Sequence, residues 1–228
     1  TLERSKDCAK RLGVAAADTA EALIEHADTV VLAVKPGVFP SLLPSIAPYL
    51  QEKNPLVISI AAGKTLGFIE EVLGFSPALV RVMPNINAKV GAAMSAFCAN
   101  QQVTQEQKKL VARLFYAIGQ VKELDEAFFP LFGVIAGSAP AFAYLFIDSL
   151  ARAAVKNGMQ KQVALEIAAQ TVLGSTKLIL EGGEHPWALI DQVCSPGGTT
   201  IEAVRVLEEK GMRLSLIHIS EPTRRTPI

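Results

Sequence analysis

Short apolar runs alternate with helical apolar spacing over the first half of the chain. The runs Thr29–Val34, Leu56–Ile60 and Leu79–Met83 are rich in aliphatic and β-branched residues, which is typical of strands buried on both faces of a parallel sheet. Apolar residues with helical spacing occupy Phe39–Leu50 and Leu66–Leu73 between these runs. The pattern predicts strand, helix, strand, helix, strand in that order.

Two further strands are predicted at Ala92–Ala99 and Gly119–Leu124, with an amphipathic helix at Gln105–Ile118 between them. Before the first strand, residues 7–12 have the spacing of the end of a helix. Strands that alternate with helices predict an α/β fold, a doubly wound parallel sheet with helices on both faces.

The pattern changes after residue 125, where no further strand is predicted. Helices are predicted at Pro140–Asn157, Lys161–Glu181, Trp187–Val193 and Thr199–Gly211. We therefore expect an α/β domain over residues 1–125 and an all-helical domain over residues 126–213. Residues 214–228 are expected to be a tail foreign to the fold, because residues 216–227 neither continue the helical period nor resemble a linker.

The segment Phe128–Ile147 is almost uncharged and long enough to cross a bilayer. Two prolines and two glycines interrupt it, and Asp148 and Arg152 continue it as in the helix of a water-soluble protein. We predict a short apolar entry, an N-cap near Ser138 and a helix buried against another subunit, with no membrane span.

Composition excludes several classes of partner and compartment. The chain has 228 residues, and its 22 basic side chains equal its 22 acidic ones, so no basic surface for nucleic acid is expected. The cysteines Cys8, Cys98 and Cys194 lie far apart without metal or redox spacing, which favours a reducing, cytoplasmic location. The first residues do not have the pattern of a signal peptide.

Two predicted strands end in turns of small residues, Ala33–Gly37 and Ala61–Gly63. Ligands of doubly wound sheets bind at the carboxyl ends of the strands, and small residues let a flat cofactor approach the backbone. Small residues also simply terminate strands, so each turn alone leaves both interpretations open.

The segment Ser195–Thr200, with the sequence Ser-Pro-Gly-Gly-Thr-Thr, leads directly into a predicted helix. Backbone N–H groups at a helix start form a site for a small anion such as a carboxylate. The alternative is a glycine-rich loop with a threonine N-cap. His185 precedes a proline and is interpreted as structural. No metal-ligand spacing, G-x-S-x-G or Walker sequence occurs, so hydride transfer by a bound cofactor is favoured.

With these turns in place, the chain resembles the pyrroline-5-carboxylate reductases over about residues 1–213. The matching motifs run in the same order as in the family: Ala33–Pro36, Ser59–Gly63, Arg81–Asn85, Gly137–Ala141 and Glu184–Ile201. The resemblance implies a Rossmann-type domain followed by a helical dimerisation domain that intertwines with a second subunit. It also implies the reduction of 1-pyrroline-5-carboxylate by NAD(P)H to give L-proline.

The resemblance assigns roles on the substrate side. Backbone N–H groups around Gly197, Gly198 and Thr199 would hold the substrate carboxylate, and Ser195 also belongs to the substrate side. Thr200 would be the catalytic residue, its hydroxyl hydrogen-bonded to the ring nitrogen as the hydride reaches the adjacent carbon. Glu126 matches a substrate-side acid of some relatives.

The resemblance also assigns the cofactor side. Nicotinamide and ribose contacts fall on the first turn (Ala33, Val34, Lys35, Pro36) and the second (Ala61, Ala62), and Gln192 matches a cofactor-side amide. Arg4 and Ser5 match the site of the 2′-phosphate, which favours NADP, although an acidic Glu3 beside them leaves NAD open.

The chain departs from the family pattern most clearly in its cofactor loop. No G-x-G-x-x-G sequence occurs, so the first strand and its glycine-rich turn are expected to be missing, and we expect weak cofactor binding or misfolding. Ile190 also stands where a lysine is common in the family.

Two other functions remain open. The chain could be a non-catalytic dimerising fragment of the reductase. It could also belong to another Rossmann-plus-helical class, the β-hydroxyacid dehydrogenases, which need a lysine base; Lys156 and Lys177 are available, but neither lies in such a motif.

Overall fold

The structure, a computed structural model, describes residues 2–219. The chain divides into two compact units, Thr1–Gly137 and Ser138–Ile228, here called the sheet unit and the helical unit. Residues 126–137, which the sequence analysis assigned to the second domain, pack in the sheet unit. Phe129 and Phe132 there share a buried cluster with Cys98.

The sheet unit contains a five-stranded sheet whose strands follow one another in chain order. The strands are β1 (Thr29–Leu32), β2 (Leu56–Ser59), β3 (Leu79–Met83), β4 (Ala93–Ala99) and β5 (Gly119–Glu123). Strands β1, β2 and β3 are parallel, and so are β4 and β5, but β3 and β4 are antiparallel. The prediction of a wholly parallel sheet is therefore wrong at β4. The connection over residues 84–92, which includes a short 3-10 turn, does not contain the crossover helix that a parallel pair requires.

Helices cover both faces of the sheet, as predicted. The helices are α1 (Leu2–Leu12), α2 (Ala20–Glu25), α3 (Phe39–Lys53), α4 (Leu66–Leu73) and α5 (Gln105–Tyr116). Helices α3 and α4 pack on one face, where Phe39 and Ile69 share a core with Val57. Helix α5 packs on the other face, where Val111 contacts a core that includes Ile58. Helix α2 begins after Thr19, whose side chain caps it by accepting the Ala22 N–H.

Strand β1 is buried on one face only, which corrects the prediction for this strand. It lies at the end of the strand order, and Val31 is 48% exposed while its neighbours Val30 and Leu32 are buried. Strand β2 is buried on both faces, as its sequence indicated.

The apolar segment after β5 is helical throughout rather than an irregular entry. A 3-10 turn (Glu126–Phe128) leads into α6 (Phe129–Phe132), a π-helical turn (Gly133–Ser138) and α7 (Ala139–Lys156). Ser138 lies at the N-cap position of α7, as predicted, but its backbone angles, φ −95° and ψ −34°, are helical and its side chain forms no capping hydrogen bond. Pro140 lacks an N–H and its ring cannot approach the carbonyl of Ala136, which accounts for the wider turn at this point.

The helical unit continues with α8 (Lys161–Gly182), α9 (Pro186–Val193), α10 (Thr199–Glu209) and α11 (Met212–Ile219). Residues 216–219 are thus helical, against expectation, and residues 220–228 lie outside the described part. Buried side chains in the described helical unit are small ones, Ala151, Ala164 and Ala168. Two helical segments, Glu126–Lys156 and Lys161–Gly182, are long and apolar enough to span a membrane by length and composition, and little of either is buried within the chain.

Candidate functional site

The two small-residue turns lie side by side at the carboxyl edge of the sheet. Leu32, the last residue of β1, accepts a hydrogen bond from the Ile60 N–H beyond the end of β2, at 3.2 Å. Ser59 is fully buried, and its Oγ accepts the Ala61 N–H at 3.3 Å. Ala62 is exposed. The sheet therefore brings the predicted contacts over residues 33–36 together with those at 61 and 62.

The surface around these turns has the space and charge that a phosphorylated dinucleotide needs. A Cβ atom at Gly37 or Gly63 would meet no heavy atom within 4 Å, and Gly63 has a φ of +73° that favours glycine. Lys35 is exposed beside the first turn, and Arg4 and Ser5 are exposed on α1. Within residues 2–219, neither Arg4 nor Lys35 forms an ion pair. Both cations are available to phosphate groups, so the residues present fit NADP.

Glu126 is bound to groups within the sheet unit. Its Oε1 accepts hydrogen bonds from Arg81 Nη1 at 2.8 Å and from the backbone N–H of Leu66 at 2.9 Å. Leu66 is the first residue of α4, so the carboxylate lies at the positive end of that helix. The substrate-side role that the resemblance assigns to Glu126 competes with these contacts.

Arg81, within the motif Arg81–Asn85, is the buried partner of Glu126, and the sequence motifs assigned it no role. Its side chain is 6% exposed, its guanidinium lies 4.4 Å from the ring centroid of Phe129, and its buried Nε has no hydrogen-bond partner. The signal was present in the sequence, since an arginine inside an apolar strand requires a buried partner. The partner itself lies 45 residues away.

Cys98 lies on β4 beside this ion pair, opposite Arg81 in the strand register. Burial, followed by the negative charge of Glu126, raises the pKa of Cys98 from 9.0 to about 12, while Arg81 lowers it. The thiol is therefore neutral over the whole physiological range of pH.

The Ser195–Thr200 segment forms a tight turn into α10. Gly197 has a φ of +67°, and Gly198 donates its N–H to the carbonyl of Ser195 at 3.0 Å. A Cβ atom at Gly198 would lie 2.4 Å from Ser195 Oγ and 3.1 Å from the Ser195 carbonyl oxygen, so a larger residue would require the Ser195 side chain to turn away. Gly198 occupies the N-cap position, which corrects the threonine N-cap interpretation. The N–H groups of Thr199 and Thr200 lie in the first turn, where no intrahelical acceptor exists, and both side chains are exposed.

Helix α9 positions Gln192 within the same unit. Gln192 Nε2 donates to Glu184 Oε2 at 2.6 Å. His185 caps this helix, with its Nδ1 accepting the Trp187 N–H at 3.2 Å, as expected of a structural histidine. Ile190 contributes to an apolar pocket with Trp187 and residues of α10 and α11.

Two family models match separate parts of the chain. Residues 126–225 match the model described as pyrroline-5-carboxylate reductase dimerisation. Residues 1–63 match the model described as NADP oxidoreductase, coenzyme F420-dependent.

Individual relatives cover most of the chain. It is 46% identical to the pyrroline-5-carboxylate reductase of Escherichia coli over 91% of its own length and 77% of the relative's. Among solved structures, it is similar to that of the Coxiella burnetii reductase, with a TM-score of 0.89 and 33% identity over 96% of this chain and 82% of that one. It is also similar to the Plasmodium falciparum enzyme with NADP bound, with a TM-score of 0.81 and 34% identity over 88% and 76% of the two chains. The chain therefore belongs to the pyrroline-5-carboxylate reductase family.

Proposed function

We propose that this chain catalyses the NADPH-dependent reduction of 1-pyrroline-5-carboxylate to L-proline. The observation that carries the proposal is the 46% identity to the Escherichia coli reductase over 91% of the chain. The open small-residue turns and the preserved glycine turn before α10 support it. A β-hydroxyacid dehydrogenase is not supported, because Lys156 and Lys177 still lack the expected motif.

The sheet unit supplies the residues for the cofactor. Residues 33–36 and the alanines at 61 and 62 would hold the nicotinamide and its ribose at the carboxyl edge of β1 and β2. Arg4 and Ser5 would bind the 2′-phosphate, with Arg4 offering two parallel N–H donors. Gln192 would be a cofactor-side amide, as the resemblance implies. When bound, NADPH supplies the hydride, and its binding is expected to be weak because no G-x-G-x-x-G sequence occurs in the chain.

The helical unit supplies the residues for the substrate. The N–H groups of Thr199 and its neighbours Gly197 and Gly198 would hold the substrate carboxylate at the start of α10, with Ser195 beside them. The Thr200 hydroxyl would hydrogen-bond the ring nitrogen and fix its orientation. The substrate nitrogen is protonated before the hydride arrives. As the hydride adds to the imine carbon, the π electron pair of the C=N bond becomes the lone pair of the nitrogen, and the product is the amine. Orientation and electrostatics then account for most of the rate enhancement.

Self-association completes the proposal. The match of residues 126–225 to a dimerisation family and the exposed apolar faces of α7 and α8 support a homo-oligomer of at least two copies. We infer a small-molecule substrate, neither nucleic acid nor membrane as a partner, and a cytoplasmic location. The free cysteines Cys8, Cys98 and Cys194 are in keeping with a reducing compartment.

The test is the oxidation of NADPH, and separately of NADH, in the presence of 1-pyrroline-5-carboxylate. We expect a higher kcat/KM with NADPH than with NADH, and Thr200→Ala should lower kcat by about 100-fold because a donor aimed at the reacting nitrogen is lost. Thr176→Ala on α8, where the hydroxyl bonds to its own helix, is the control and should leave kcat unchanged. A chain that self-associates but oxidises neither cofactor would favour a non-catalytic dimerising fragment.

A further inference from the structure

We propose that Glu126 is a positioning residue that holds the Ala61–Thr65 turn in the shape that receives the cofactor, rather than an acid that contacts the substrate. This inference rests on the proposed function, because it concerns a turn assigned to NADPH. It is carried by the contacts of the Glu126 carboxylate and by the way the turn is anchored at its two ends.

The first anchor lies at the end of β2. The buried hydroxyl of Ser59 accepts the Ala61 N–H at 3.3 Å, which fixes the first residue of the turn against the sheet. The second anchor lies at the start of α4. Thr65 Oγ1 accepts the Phe68 N–H at 3.1 Å, and Glu126 accepts the Leu66 N–H at 2.9 Å.

The middle of the turn has little support of its own. Ala62 and Gly63 are exposed, and nothing lies within 4 Å of a Cβ atom placed on Gly63. The shape of the turn therefore depends on its ends. Of the two anchors, the one at Leu66 depends on a residue 60 positions away, and loss of its carboxylate would free the start of α4.

The carboxylate of Glu126 is held by two contacts, one with the Leu66 N–H and one with the Arg81 guanidinium. Its Oε1 serves Leu66 and Arg81 together, and Arg81 is almost fully buried and finds no other carboxylate within ion-pair distance among residues 2–219. Movement of this carboxylate towards a substrate would leave the guanidinium buried without a counter-ion. A carboxylate held by a helix start and a buried guanidinium is suited to positioning that helix and not to turning towards a substrate.

The test compares two double variants that differ only in the acceptor for the Leu66 N–H. Arg81→Met/Glu126→Gln keeps an amide oxygen at this position, and Arg81→Met/Glu126→Leu removes it. Neither leaves a buried charge unpaired, so both should fold. Glu123→Gln, on β5 in an ion pair with Lys108, is the matched control for loss of a nearby carboxylate.

Three measurements decide the outcome. In the cofactor-free protein, hydrogen exchange at the Leu66 amide should be about tenfold faster in the Leu variant than in the Gln variant. The Kd for NADPH, measured by fluorescence titration, should be raised about tenfold in the Leu variant and stay within about threefold of wild type in the Gln variant and in Glu123→Gln. The KM for 1-pyrroline-5-carboxylate should be the same in both double variants.

Equal exchange and equal NADPH affinity in the two double variants would overturn the proposal. A loss of kcat or a raised KM for 1-pyrroline-5-carboxylate in both, with NADPH binding unchanged, would instead restore Glu126 as a substrate-side residue. A wild-type chain that binds NADPH but does not reduce the imine would refute the proposed function alone, since the exchange and binding comparison would still decide the role of Glu126.

Discussion

A single buried arginine determines how several neighbouring residues behave. Arg81 requires a carboxylate, and the one it pairs with also caps α4 and acts on the thiol of Cys98. The sequence indicates that Arg81 needs a partner, because a charge in an apolar strand is costly alone. It could not identify Glu126, because the pair is formed across the sheet and depends on the register of β3.

The raised pKa of Cys98 predicts a specific loss of stability at alkaline pH. Its pKa is about 12 in the folded chain and 9.0 without these surroundings, so the folded state keeps a proton that the unfolded state releases. This contribution is complete below pH 9 and is lost as the pH rises from 9 towards 12. Over that range, the free energy of unfolding of Cys98→Ala should fall less steeply than that of wild type, by up to about 1.4 kcal/mol per pH unit.

Urea unfolding at pH 8, 9 and 10 measures these slopes. Cys8→Ala, at an exposed cysteine, is the control and should follow the wild-type slope. Parallel slopes for wild type and Cys98→Ala would contradict the assigned pKa.

At the scale of elements, the apolar pattern predicted where helices and strands lie along the chain better than it predicted the direction of the strands in the sheet. The bounds of α4 and β3 are those expected from the sequence. The antiparallel direction of β4 was not expected, because a buried strand has the same apolar pattern in either direction. The connection before β4, residues 84–92, is shorter than the crossover that a parallel pair requires, and this length indicates the antiparallel direction.

For the candidate site, too, the sequence predicted where the segments lie but not every detail of their local structure. Sequence motifs located the turns after β1 and β2, and the parallel register of these strands then brings the turns together. The start of α10 was also located by its motif. The occupant of its N-cap was not, because Gly198 takes that position through its close contact with Ser195, which no spacing rule describes.

Asn85 joins three elements, and its removal should destabilise the sheet unit. Its Nδ2 donates to the carbonyl of Ala136 at 2.9 Å, and its Oδ1 accepts the Met94 N–H at 3.2 Å. Pro140 cannot donate to that carbonyl, so Asn85 replaces the missing helical bond. Asn85→Ala leaves two backbone groups without partners and should lower the free energy of unfolding by about 2–4 kcal/mol.

The measurement is urea denaturation followed by circular dichroism. Asn87→Ala is the matched control, because the Asn87 side chain forms no hydrogen bond with the described residues; its effect should stay within about 0.5 kcal/mol. An Asn85→Ala protein as stable as the control would show that water or a backbone shift replaces both bonds.

At the scale of the whole molecule, the two units differ in how they bury apolar surface. The sheet unit has continuous cores on both faces of its sheet. The described helical unit buries small alanines, while large side chains such as Leu145 and Leu180 are 67% and 78% exposed. Such surfaces on a chain of this family are accounted for by association between copies, as proposed above.

One face of α8 should lie in the interface between copies. Val163, Ile167 and Leu178 lie within a narrow arc of the helix and are 43%, 52% and 61% exposed. Ile167→Glu would place a carboxylate in this apolar face, at a cost of several kcal/mol once it is buried. We expect sedimentation velocity at micromolar concentration to show a homo-oligomer for the wild type and a shift to monomer for Ile167→Glu. Gln120→Glu, which adds the same charge at an exposed position of β5, should sediment as wild type does; an unchanged oligomer for Ile167→Glu would exclude this face from the interface.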